Sequence, residues 1–151
     1  MNPGPTFAVP PPRPPPDFVR RHRVGYADCT VGNHVYYARY LDWFEEARTE
    51  FFLARGTSFA RWAEQGFLFP VVRVEADYRR AARAEDEVET SLRVAAVGRA
   101  SFSIACEVRR VSDGHLLVEG QTVHAVTDAA GRTARMPPAL RQMLEGTAPP
   151  A

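Results

Sequence analysis

The chain has 151 residues, 45% of them hydrophobic, and a formal net charge of +1 at pH 7, enough for one domain with a real core and too little for two. The near-zero charge excludes a nucleic-acid binder that works by bulk electrostatics. No apolar run approaches the roughly 20 residues a bilayer span needs, and no basic stretch leading into an apolar one opens the chain, so the expectation is a cytoplasmic protein without membrane anchor or secretory signal.

Met1 to Asp17 carry eight prolines. They offer few large apolar groups and few ladder donors, so residues 1–17 read as a disordered or polyproline tail. FVRRHRVGY, from Phe18 to Tyr26, has the β-branched and aromatic character of a first strand. From Asp28 to Gly56 a polar turn runs into an amphipathic helix. At about 100° per residue, Tyr37, Tyr40, Leu41, Phe44, Phe51 and Phe52 share one face, opposite Arg39, Asp42, Glu46, Thr49 and Glu50. Asn33 is the expected cap and Gly56 the expected stop, for a helix of roughly 20 residues. Arg48 breaks the pattern. A guanidinium among aromatics requires a partner, either a structural ion pair or carbonyl clamp, or a substrate group.

TSFARWAEQG then predicts a short helix with Phe59, Trp62 and Ala63 inward. In FLFPVVRVEADYRR, Val72, Val74 and Ala76 alternate with Arg73, Glu75 and Asp77, the period of a half-buried strand. EVETSLRVAAVG, ASFSIACEVRRV and HLLVEGQTVHAVT predict three long antiparallel strands, the last two joined by a hairpin at Asp113-Gly114. MPPALRQML closes the domain as a proline-started helical turn, and residues 146–151 form a second tail. Strand, long helix, then a meander is an α+β layer: one central helix against a curled antiparallel sheet of about five strands, spanning residues 18–145. Its open edges favour a homodimer that continues the sheet, with a tetramer as a further step.

Cys29 and Cys106 lack metal or redox spacing and are expected as free thiols. His115 and His124 fall on strands without companion ligands, so no metal is expected. All the basic residues are arginine; genome composition explains that, although the planar fork also suits phosphates. Arg79, Arg80 and Arg83, with Arg99, are candidates for a phosphate-bearing ligand; a solvated basic turn is the plainer reading.

The run YADCTVGNHVYYARYLDWFEEARTEFF, with YRRAARAED and DAAGR further on, resembles the hotdog-fold acyl-CoA thioesterases related to 4-hydroxybenzoyl-CoA thioesterase. The resemblance covers nearly everything after the proline tail. It implies hydrolysis of an acyl thioester of coenzyme A or acyl carrier protein at the start of the central helix, with no organic cofactor. A helix start presents unpaired N–H groups and a positive dipole end, suited to an oxyanion; here the donors would be the amides of Val35, Tyr36 or Tyr37. Many relatives place a catalytic acid where this sequence has Thr30, and threonine is no general base near neutral pH. Asp28 matches the first acid of the family's pair and either aligns water or caps its own turn. His34 is a candidate base or a turn residue. The thioesterases of enediyne polyketide pathways are also similar: they lack the acid and read a polar residue, tyrosine and arginine where this chain has Thr30, Tyr40 and Arg48. Two other readings stay open, a silent acyl-CoA binding module and a hydratase or dehydratase on the same fold.

Overall fold

The computed structural model describes residues 13–146. Five strands form one antiparallel sheet: β1 (Phe18–Arg23), β4 (Val71–Tyr78), β5 (Glu87–Val97), β6 (Ser101–Arg110) and β7 (Leu116–Ala125), in the order β1-β5-β6-β7-β4. A two-rung hairpin, β2 (Cys29–Thr30) with β3 (His34–Val35), leads into α1 (Arg39–Ala54). Two short helices, α2 (Phe59–Glu64) and α3 (Pro138–Glu145), complete the chain. The α+β layer expected from the sequence is therefore present.

Helix α1 buries Tyr40, Trp43, Phe44, Ala47, Arg48, Phe51 and Phe52 against Val88, Leu92, Phe102, Ile104, Cys106, Val108 and Val118 of the sheet. Each fully buried Phe contributes about 1.5–3 kcal/mol, so this contact is the main source of stability. Gly120 marks its tightest point: a Cβ there would lie 2.4 Å from the Glu75 carbonyl oxygen and 3.0 Å from the Phe44 ring. Only glycine lets β4, β7 and α1 approach that closely.

The helix is shorter than the sequence suggested and starts later. It has 16 residues, and its N-cap is Ala38, without a side-chain cap. Gly32 and Asn33 are both left-handed, with φ 92° and 55°, the conformation a tight hairpin turn demands. Asn33 thus turns the β2–β3 hairpin, its side-chain oxygen accepting from the Ala84 amide at 3.2 Å. Tyr37 falls outside the helix and is 61% exposed. Ala63, expected inward on α2, is exposed, while Trp62 is buried.

The expected tail also begins to order early. Arg13 pairs with Glu107 and Glu119, the Pro14 carbonyl accepts from Arg93, and Asp17 continues the β1 edge through bonds to Leu92 and Val94. Residues 13–17 are thus strapped over the outer face of the sheet, while residues 1–12 and 147–151 of the two expected tails lie outside the described residues. Cys29 and Cys106 are free thiols. Among the described residues no helix is long and apolar enough to cross a membrane.

Strand β4 is the unfinished part. Val71, Val72, Val74 and Tyr78 are 43%, 61%, 44% and 45% exposed, so the alternation that reads as half-buried has no cover among the described residues. Its other edge is unpaired as well, because β4 is the last strand of the sheet.

Candidate active site

The hairpin, the start of α1 and the segment after β4 meet in a cleft of about 280 Å³ lined by Val35, Tyr37, Tyr40, Tyr78, Arg79, Arg80 and Ala81. Ala82 is the hub. Its carbonyl accepts the Val35 amide at 2.9 Å and its amide donates to the Tyr40 hydroxyl at 2.9 Å. Arg110 braces this segment from below, donating to Asp86, Asp113 and the Ala81 carbonyl.

Of the three amides expected to face an oxyanion, two are spent. Val35 N–H bonds to Ala82 in the segment after β4, and Tyr36 N–H bonds to the Asp28 carbonyl at 2.8 Å, extending the hairpin. The amides of Tyr37 and Ala38 have no acceptor among the described residues. Peptide planarity orients them. The Tyr36 carbonyl accepts from the Arg39 amide inside the helix start, so the Tyr37 N–H in the same plane points the opposite way. The Tyr78 hydroxyl donates to the Tyr37 carbonyl at 2.9 Å, so the Ala38 N–H of that peptide plane points away from Tyr78, and Ala38 itself does not line the cleft. Tyr78 was not singled out from the sequence; its place two residues beyond Ala76 in the β4 alternation was the available signal.

Asp28, Thr30 and His34 sit on the hairpin but do not line the cleft. The Asp28 carboxylate accepts the Gly25 amide at 3.2 Å and lies 3.9 Å from Arg39. Thr30 and His34 face each other, hydroxyl to Nε2, at 2.9 Å. No carboxylate pairs with His34 among the described residues.

The arginine cluster divides. Arg79 is held by Glu119 at 2.7 Å, a pairing that also raises its pKa, and Arg83 clamps the carbonyls of Gly32 and Asn33. Arg80 has no side-chain partner among the described residues. Arg99 lies elsewhere, at the opposite end of the sheet: Tyr78 is in register with Val118, whereas Ser101 is in register with Ala125. There Arg99, Arg135, Met136, Pro137, Pro138 and Arg141 enclose a cradle of about 520 Å³. Arg135 and Arg141 escaped the sequence reading because only tertiary packing of the residues before α3 brings them to Arg99.

Arg48 is 6% exposed. The expected ion pair or carbonyl clamp is absent among the described residues: Nη1 reaches the Thr122 hydroxyl at 3.4 Å and Nε has no partner. Burial lowers its pKa. Nearby, His124 is 1% exposed, and burial, then the Arg48 charge, depresses its pKa from 6.5 to about 4. This fixes a pH dependence. The unfolded chain binds the proton first, so the neutral ring's contribution is complete above about pH 6.5 and is lost as the pH falls through about 4. Urea titrations between about pH 7 and pH 4 should show up to about 3 kcal/mol of lost stability from this group. His124→Gln should flatten that slope; an unchanged slope would contradict the assignment.

A curled antiparallel sheet around one central helix defines a hotdog fold, and at the start of that helix the amides of Tyr37 and Ala38 have no acceptor among the described residues. The chain belongs to the thioesterase-like superfamily, whose family model matches residues 24–144. It is 38% identical over 83 residues to the acyl-CoA thioesterase YbgC of Haemophilus influenzae, a match spanning 53% of this chain and 60% of that protein. The dynemicin thioesterase, seen in crystal structures with a bound polyene, superposes with a TM-score of 0.78 at 25% identity, over 89% of this chain and 99% of that one. The 1,4-dihydroxy-2-naphthoyl-CoA thioesterase Slr0204 of Synechocystis shares the fold, with a TM-score of 0.81 at 20% identity, over 88% and 98% of the two chains.

Proposed function

We propose that the protein is a dimeric acyl-CoA thioesterase that hydrolyses its substrate at the start of α1. The observation that carries this reading is the pair of unspent amides, Tyr37 and Ala38, beside a cleft walled by tyrosines. The thioester carbonyl oxygen accepts from them, and the tetrahedral oxyanion is stabilised by preorganised donors and the helix dipole. Thr30 and His34, held hydroxyl to ring, and Asp28, which accepts the Gly25 amide, brace the hairpin that leads into the helix start; outside the cleft lining, they act on its shape and not on the water directly. Arg48 does not line the cleft; its buried Nε–H, without a partner among the described residues, donates to an acceptor on the acyl group where that group extends beneath α1. Among the described residues His34 has no acidic partner of the kind a hydratase base requires, which favours hydrolysis over the hydratase reading.

The open β4 edge supports a homodimer that continues the sheet. An antiparallel pairing with Val74 on the twofold axis sets Arg73 opposite the partner subunit's Glu75 on the outer face and meets the exposed valines on the inner one. The same operation resolves the split between cleft and cradle. Within one chain they are separated by the length of the sheet, about 8 residues or roughly 26 Å. Across a twofold antiparallel interface, the partner subunit's Arg99, Arg135 and Arg141 come to the Tyr78 end, where they suit the phosphates of coenzyme A.

Thiol release from a panel of acyl-CoAs, run beside the same acyl groups on N-acetylcysteamine, tests this. Turnover of the CoA thioesters is expected. The R99A/R135A double variant should raise KM about 10-fold or more for the CoA series, the loss of two phosphate contacts, and leave the truncated series unchanged. Ligand retention without cleavage would instead identify a binding module, and equal effects on both series would remove the phosphate role.

A further inference from the structure

The buried face beneath α1 carries a polar chain that runs inward from Arg48 through residues to which the proposed hydrolysis gives no role. The Phe69 carbonyl accepts from His124 Nδ1 at 3.2 Å. A carbonyl can only accept, so Nδ1 bears the proton and Nε2 of the neutral ring is an acceptor. The Thr122 hydroxyl, 3.0 Å away, must therefore donate to Nε2. Its lone pairs are left facing Arg48 Nη1 at 3.4 Å. The Phe102 ring stacks on the imidazole at 4.7 Å and 5°, fixing its plane. Every direction in the chain is thus determined, from Arg48 through Thr122 and His124 to Phe69.

We propose that Thr122 and His124 are positioning residues that set the roll of the Arg48 guanidinium and keep its remaining donors free for the acyl group. The inference rests on the reading of Arg48 as a substrate contact. Two further observations support it. Thr122 and His124 are 4% and 1% exposed, so both polar side chains are retained in the core although water cannot satisfy them, which costs free energy unless the chain stays intact. In register, Thr122 pairs with Val74 on the last strand, whose 44% exposure leaves the guanidinium one strand from an open flank. A buried cation whose Nε–H lacks an acceptor gains most when a ligand oxygen arrives there.

A double-variant cycle on the full-length protein tests this. Thr122→Val keeps the shape and deletes the hydroxyl; it should lower kcat/KM on the best acyl-CoA about 10-fold with Arg48 present, the equivalent of one hydrogen bond. In the Arg48→Met background it should change kcat/KM less than about 2-fold, and Thr122→Ser should restore activity. Equal losses in both backgrounds would show a general packing role and overturn the proposal. So would an Arg48→Met variant as active as the wild type, a result that leaves turnover itself intact. A readout independent of turnover is the Nε–H resonance of Arg48 by ¹⁵N NMR. Its solvent exchange should quicken about 10-fold in Thr122→Val, and in His124→Gln should Thr122→Val not fold. Unchanged exchange would overturn the proposal even if no thioester is cleaved.

Discussion

Tyr37→Pro is expected to lower kcat for thioester cleavage by about 100- to 1000-fold, the loss seen when one oxyanion donor is removed, while the domain stays folded. Proline deletes an N–H that has no acceptor among the described residues, so no internal hydrogen bond is lost; it also removes the tyrosine side chain, an effect the alanine variant isolates. The site tolerates the ring's demands because Tyr37 precedes α1, which begins at Arg39, so no helical hydrogen bond is lost. Ala38→Pro is the companion variant: Ala38 has φ −72°, within the range proline imposes, and should lose activity to a similar degree. Tyr37→Ala separates amide from side chain. It keeps the donor and removes the ring that packs on Tyr36 and Tyr78 at centroid distances of 4.7 and 6.3 Å, so its effect should fall on KM. Steady-state kinetics with thermal melts decides the matter. If both proline variants hydrolyse normally, the oxyanion is bound elsewhere.

Arg48→Met is expected to separate stability from activity. Replacing a buried guanidinium that has no counter-ion among the described residues by an apolar side chain of similar volume relieves desolvation, and analogous replacements are neutral or stabilising by about 1–4 kcal/mol. The urea midpoint should therefore stay or rise. Loss of a charge-assisted hydrogen bond to the acyl group, about 2–3 kcal/mol, should lower kcat/KM about 30- to 150-fold. A variant that loses stability and keeps its activity would mark Arg48 as a structural element.

The antiparallel strands were legible from their alternation, Val88, Thr90 and Leu92 on β5 and Phe102, Ile104, Cys106 and Val108 on β6 all being buried; the alternation breaks at the register shift between Val94 and Ala96, which leaves Ala96 exposed. The phase of α1 was equally clear, including the inward position of Arg48. The helix start was misplaced for a chemical reason. Asparagine is both a favoured cap and a favoured left-handed residue, and next to Gly32 the second role prevails. With that shift of several residues, the amides of Val35 and Tyr36 are bonded and that of Tyr37 is left without an acceptor among the described residues, as is that of Ala38, which the sequence did not single out. The arginines were the least legible. Arg79, Arg80 and Arg83 share one stretch of sequence yet have different partners, whereas Arg99 and Arg135 are distant in sequence and share a cradle. Periodicity reports which face a residue occupies; which neighbours satisfy it depends on contacts between segments.

The most direct measurement is a crystal structure with a non-hydrolysable acyl-CoA analogue in which a methylene-linked ketone replaces the thioester. The expected complex is a dimer joined through β4, with the ketone oxygen about 2.7–3.1 Å from the amide nitrogen of Tyr37 or Ala38 and the phosphates on the partner subunit's Arg99 and Arg135. A ketone oxygen turned away from both amides would contradict the proposed chemistry. Phosphates held by the same chain that holds the carbonyl would contradict the shared site.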